Sequence, residues 1–233
     1  MIRLLRHVWT AMAVACLYAS PAAAQLAGSI GLDSDYRLRG YSLSADQPVL
    51  SAQLTYDDRS GAYAGLSALA KVAGGARFLG VIANAGYAKR ISDRVTVDGG
   101  VLRSDVRSAA PNAAAYIYTD VYAGAFVGPV SARLHYSPDY RTGGLSTLYG
   151  ELEAGFAPAR NWRLSAHAGL LTYLNSKAPY RRGGTHQDWR IGISRQFGRV
   201  EVHSALSGGH PYEYSGFRVH KQVAATVGAS VSL

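Results

Sequence analysis

From Leu26 to Leu233 the chain divides into twelve short segments in which apolar and polar residues alternate, joined by connections that are by turns tight and long. Few architectures tolerate both properties at once. Alternation places successive side chains on opposite faces of a strand. Unequal connections on two rims suit an even-stranded barrel with trimmed turns on one side and loops on the other. The segments are 26 to 39, 48 to 57, 62 to 70, 79 to 91, 94 to 106, 115 to 127, 130 to 138, 146 to 157, 162 to 174, 187 to 197, 200 to 208 and 220 to 233. Tight connections follow the even-numbered segments: Asp58 to Gly61, Ser92-Asp93, Gly128-Pro129, Pro158 to Asn161 and Gly198-Arg199. Each holds Gly, Pro, Asn or Asp, the residues that set tight turns. The others are longer and polar, notably Asn175 to His186 and Gly209 to Val219. No helical period is sustained after residue 25. The expected fold is therefore all-β, an antiparallel up-and-down transmembrane β-barrel of about twelve strands, read here in preference to ten or fourteen.

The N-terminus reads as a leader. Arg3, Arg6 and His7 supply a positive start, Val8 to Leu17 an apolar run, and Ala22-Ala23-Ala24 a small-residue cleavage site before Gln25. The run is shorter than the roughly 20 residues a membrane-spanning helix needs. Residues 1 to 24 are thus expected to be a cleaved signal peptide and 25 to 233 the barrel, in one domain. A lipoprotein attachment at Cys16 is the rival, though Ala13-Val14-Ala15 is a poor context for it. Cys16 is the only cysteine, so the exported chain has no disulfide and must be held by its own core or by closure of its sheet. Loss of Arg3 and Arg6 lowers the net charge from +9 to +7. That excess is scattered, and no basic cluster with stacking aromatics appears, so nucleic acid is not expected as a partner.

Parity assigns the faces. In the last segment Val223, Ala225, Val227, Ala229, Val231 and Leu233 oppose Gln222, Thr226, Ser230 and Ser232. In the seventh, Val130, Ala132, Leu134 and Tyr136 oppose Ser131, Arg133, His135 and Ser137; in the tenth, Trp189, Ile191, Ile193 and Phe197 oppose Asp188, Arg190, Ser194 and Gln196. A soluble barrel or sandwich with its apolar face inward gives the same alternation. Aromatic placement favours the membrane. On the dry parity Tyr56, Phe156, Trp162 and Phe197 fall near tight turns, and Tyr36, Tyr136 and Trp189 near long loops, as two interfacial girdles would. Two parities are ambiguous: Ala64, Leu66 and Ala68 against Tyr63, Gly65 and Ser67, and Tyr116, Tyr118 and Tyr122 on the nominally wet face with Asp120.

The wet parity carries charge that a soluble core holds only at high cost. Asp33, Asp35, Arg37 and Arg39 share one face of the first segment, Arg133 and His135 of the seventh, Glu151 and Glu153 of the eighth, Arg163 and His167 of the ninth, Asp188 and Arg190 of the tenth, and Glu201 and His203 of the eleventh. These fourteen are the candidate lumen-lining residues. The plain alternative for each is a solvated face or a cross-strand ion pair that stiffens the wall.

Three stretches narrow the reading to a family. Ser34-Asp35-Tyr36-Arg37-Leu38-Arg39-Gly40-Tyr41-Ser42, then Tyr136-Ser137-Pro138-Asp139-Tyr140, then Asp188-Trp189-Arg190-Ile191-Gly192-Ile193-Ser194 resemble, in that order, the marks of the TorF-type porin family, with its Gcw_chp-type domain. The resemblance spans essentially the whole exported chain. It implies a Gram-negative outer-membrane β-barrel acting as a channel, and brings no agreed catalytic residues. One departure is the C-terminal Leu233, where barrels of this class often end in an aromatic residue.

The function expected is passive diffusion of small polar or charged solutes. Eight strands leave room only for side chains and sixteen to eighteen an open pore, so twelve imply a narrow lumen. Arg37, Arg39, Arg133, Arg163 and Arg190 face Asp33, Asp35, Asp98, Asp120, Asp188, Glu151, Glu153 and Glu201 there, a mixed field that does not assure strong anion selectivity. Two other classes compete. A barrel hydrolase would use His135 or His167 with Ser137 or Ser165, but no nucleophile elbow or metal-binding His-Glu pattern surrounds them. A structural or surface-binding barrel would act through loops such as Arg181-Arg182, set to meet lipid phosphate. The expected partners are outer-membrane lipid, the barrel-assembly machinery and small solutes. No cofactor, metal or enzymatic activity is expected.

Overall fold

Strand after strand pairs with its sequence neighbour until the sheet closes on itself. The computed structural model describes residues 25 to 109, 115 to 141, 144 to 174, 185 to 209 and 223 to 233. The expected leader at 1 to 24 lies outside them, as do the Arg181-Arg182 loop and most of the segment 209 to 219. The elements are β1 (Gln25–Asp33), β2 (Arg37–Leu38), β3 (Tyr41–Ser42), β4 (Val49–Asp57), β5 (Ala62–Lys71), β6 (Arg77–Arg90), β7 (Val95–Val106), β8 (Tyr116–Val127), β9 (Val130–Ser137), β10 (Thr147–Phe156), β11 (Trp162–Tyr173), β12 (Thr185–Phe197), β13 (Val200–Gly209) and β14 (Val223–Ser232). Twelve of them form a closed antiparallel barrel, while β2 and β3 form a separate hairpin. Closure is made by β1 on β14, from Ser29↔Ser232 to Asp33↔Gly228. No helix occurs among the described residues.

The structure turns the apolar parity outward. Leu32, Val121, Leu134, Leu152, Ile191 and Val227 are all exposed on the outer surface, with Ile191 at 62% and Val227 at 60%. In water an apolar belt of this extent would drive association. Tyr56, Phe156 and Phe197 are exposed beside the tight turns, and Tyr136 and Trp189 toward the long loops. Arg195 lies over the Trp162 and Phe197 rings at 5.0 and 4.8 Å, its charge held at the rim of that belt. Both ambiguous strands are resolved. Leu66 faces out while Tyr63 and Ser67 are buried inside, and Tyr116, Tyr118, Asp120 and Tyr122 all point inward.

A bulge refines this order. The pairing of β5 with β6 shifts between Leu69 and Ala70, so that Leu69 opposes Gly80, Ala70 opposes Phe78, and Leu79 is the extra residue. The insertion lets Leu79 turn inward while Phe78 faces out. With Leu69, Ile82, Leu102 and Val106 it makes part of the interior apolar, against the uniformly wet lumen that parity implies.

The first segment departs from expectation, and for a related reason. It does not run to Arg39 as a wall strand. Its pairing to β4 ends at Asp33↔Val49, leaving residues 34 to 39 no strand to bond to on that side. Residues 34 to 48 instead fold into the barrel. Arg39 and Gly40 both take positive φ, 48° and 81°, to turn the β2–β3 hairpin. Tyr36, expected on the lipid side, and Leu38 on the same parity therefore lie inside; Leu38 and Leu43 are buried in one cluster with the inward apolar residues of β5 to β7. Leu43 also accepts the Ala109 amide at 2.8 Å. Burying each leucine contributes roughly 1.5 to 3 kcal/mol. The apolar patch and the inserted hairpin thus cover one another.

Candidate functional site

The site is the interior of the barrel, and the inserted segment divides its residues into groups. Asp35 and Arg37 shape the segment itself. Asp35 accepts the Ser42 and Ser44 hydroxyls at 2.5 and 2.6 Å and the Arg37 Nη1 at 3.1 Å. Arg37 also donates to the Gly40 carbonyl at 2.7 Å. Neither belongs to the wall where the sequence placed them.

Arg39 is carried against the inner wall. Its Nη2 lies 2.7 Å from Asp120 Oδ2, with both side chains almost wholly buried. Its guanidinium carbon lies 4.1 Å from the Tyr149 ring centre, 4.9 Å from Tyr118 and 5.4 Å from Tyr140. Cation–π contact at these distances is strongest where water is excluded, as here. His186 Nε2 bonds the Arg39 carbonyl at 2.9 Å, and its ring stacks on Tyr41. Gly40 is pressed so close to the wall that a Cβ would sit 3.1 Å from that of Asp188.

The remaining wall charges are largely joined in pairs. His135 Nε2 lies 3.3 Å from Glu151 Oε1 and its Nδ1 3.6 Å from Asp120. His167 bridges Glu153 at 2.6 Å and Asp188 at 2.8 Å, and Tyr149 donates its hydroxyl to Asp188 at 3.2 Å. Arg133 donates from Nε and Nη2 to one oxygen of Asp98, at 3.1 and 2.9 Å. Tyr63 donates to the same oxygen at 3.0 Å. His203 pairs with Asp33 at 2.6 Å across Gly228. Glu201 is buried, near the start of β13. Arg163 and Arg190 are half-buried; Arg190 stands opposite His167 and Arg163 opposite Ser194, which places both on the inner face. The hydrolase geometry is not assembled from these groups: His135 and His167 both face carboxylates, and the Ser137 hydroxyl donates to the Thr119 carbonyl at 3.1 Å. No cluster of metal-ligating residues occurs among the described residues.

Sequence reasoning missed the tyrosines as site residues. Tyr118, Tyr140 and Tyr149 form the walls around Arg39, and Tyr63 and Tyr122 bond each other at 2.7 Å over Asp98. The available signal was the run of tyrosines on the wet parity of 115 to 127, which only makes sense if the interior holds rings and hydroxyls together.

A model of a family described as a bacterial protein of unknown function, Gcw_chp, matches residues 18 to 225. The chain belongs to the Gcw_chp family. No curated protein matches the sequence. Among solved structures, the chain is similar to the NanC porin, at 12% identity and a TM-score of 0.59, over 89% of this chain and 100% of that one. It is also similar to the KdgM porin, at 11% identity and a TM-score of 0.50, over 90% and 99%. At these identities the likeness is one of fold, and the fold of this Gcw_chp chain is that of a porin-like, outer-membrane-type barrel.

Proposed function

We propose that this Gcw_chp protein is a channel of the Gram-negative outer membrane, reached after cleavage of residues 1 to 24. It lets small polar or charged solutes pass by diffusion through a narrow lumen of mixed charge. The observation that carries this reading is a closed twelve-stranded barrel, apolar outside and ionisable within. A wall with no free edge and an apolar belt satisfies a bilayer. Lipid contacts that belt, and the barrel-assembly machinery inserts it; nucleic acid has no part. No catalytic step is assigned. Of the fourteen lumen residues, Arg163 and Arg190 form no ion pair with a carboxylate among the described residues and are the cations most open to a passing solute.

The inserted segment supports a second reading, a non-conducting structural barrel, because it fills part of the interior. One experiment separates the two. Folded protein in planar bilayers should give discrete conductance, and reversal potentials in a salt gradient should show weak selectivity. Well-folded protein that carries no current would leave the structural reading standing and remove the channel.

A further inference from the structure

The pocket around Arg39 is built by the wall and filled by the loop. Tyr118 and Asp120 come from β8, Tyr140 from the β9–β10 connection and Tyr149 from β10, whereas Arg39 arrives on the segment 34 to 48. The wall thus presents three aromatic rings and a carboxylate around a single planar cation. This arrangement exceeds what the tethered side chain uses. A guanidinium has five N–H donors in a planar fork that matches a carboxylate bidentately. Here only Nη2 is paired; Arg39 Nε and Nη1, Asp120 Oδ1 and the Tyr118 hydroxyl are buried without a partner among the described residues. The unpaired Asp120 oxygen, on a side chain 1% exposed, is a buried acceptor that Arg39 leaves unused.

Charge points the same way. The groups around the pocket are the carboxylates of Asp120, Glu151 and Asp188, with His135 beside Asp120 and His167 beside Asp188. Arg39 is the permanent cation paired with Asp120. If the segment withdraws, buried carboxylate remains without its counter-charge, which is costly until another cation arrives.

We infer that the Tyr118–Tyr140–Tyr149–Asp120 pocket is a binding site for guanidinium-bearing solutes, and that Arg39 is its built-in occupant, exchanging with solute of that class. The inference rests on the channel reading only for the route by which solute arrives. A free guanidinium can rotate to engage both Asp120 oxygens, whereas Arg39 engages one. Displacement of Arg39 by solute then loosens the segment that fills part of the lumen.

Binding, not current, is the test, so that failure here and failure of the channel reading are separate results. Folded full-length barrel in detergent is titrated calorimetrically with methylguanidinium chloride, against sodium chloride of equal ionic strength. Arg39→Ala should bind about tenfold more tightly than the wild type, because the competitor is gone. Arg39→Ala with Asp120→Asn should lose about tenfold of that gain, and methylammonium, which has the charge without the fork, should bind Arg39→Ala about tenfold more weakly. Arg39→Gln serves if the alanine variant does not fold, as judged by heat-modifiable migration in gels. Equal affinity of wild type and Arg39 variants, indifference to Asp120→Asn, or equal binding of methylammonium would each overturn the assignment.

Discussion

Asp120→Asn isolates one of the forces that hold the inserted segment. The substitution keeps the volume and one oxygen acceptor but removes the charge facing Arg39, at a pair whose side chains are 2% and 1% exposed. Breaking a buried ion pair from one side costs about 3 to 5 kcal/mol. The retained acceptor and three rings place this case near the lower bound, about 3 kcal/mol. The barrel wall does not depend on that contact, because its strands pair through backbone bonds from β1 to β14. The loss therefore falls on the equilibrium between inserted and withdrawn segment, and about 3 kcal/mol multiplies the withdrawn population by about a hundredfold. Single-channel recording reads that population as open time. The variant should show a large rise in open probability with an unchanged urea midpoint for barrel unfolding in lipid vesicles. If open probability stays at the wild-type value in a folded variant, the ion pair does not hold the segment and the reasoning is wrong. A fall in the urea midpoint with unchanged gating would refute it equally, since the segment would then be part of the wall's stability.

Other expectations concern the wall. Val121→Arg, on the exposed outer face of β8, should destabilise the barrel in vesicles by about 2 to 4 kcal/mol, as arginine near a bilayer midplane does; a change near zero in a urea titration would favour a water-facing exterior. Gly80→Ala should cost at least about 2 kcal/mol and lower the folded fraction on gels, because Gly80 has φ of 145° and an added Cβ would collide with the Asp105 carbonyl and come within 2.8 Å of the Val106 Cα. Normal folding of that variant would show that the bulge can relax.

The amphipathic wall was legible early because its signal is local. Eleven of the twelve strands lie within about three residues of the segments read from alternation. In each, one set of side chains had to meet an apolar medium and the other had to avoid it, and tight-turn residues marked where the chain reversed. The site was legible in part. Parity alone turned His135, Glu151, Glu153, His167 and Asp188 to one side, but it could not say that His167 bridges Glu153 and Asp188, since those contacts join three strands through register. Tyr149 and Tyr140 carried no local mark of their role, because a ring becomes part of a pocket only when its occupant arrives.

By itself, the sequence determined a β-chain with one dry face and one charged face, short turns on one rim and long loops on the other. Tertiary structure decided the fate of residues 34 to 39. Asp35, Arg37 and Arg39 against Tyr36 and Leu38 have the same period of two as any wall strand, so local pattern cannot distinguish them. The difference lies in what stands beside them: β4 begins only at Val49, and the apolar interior of β5 to β7 offers Leu38 and Leu43 a dry surface inside the barrel. Backbone hydrogen bonding and burial are satisfied by turning inward, and both depend on neighbours that are distant in sequence.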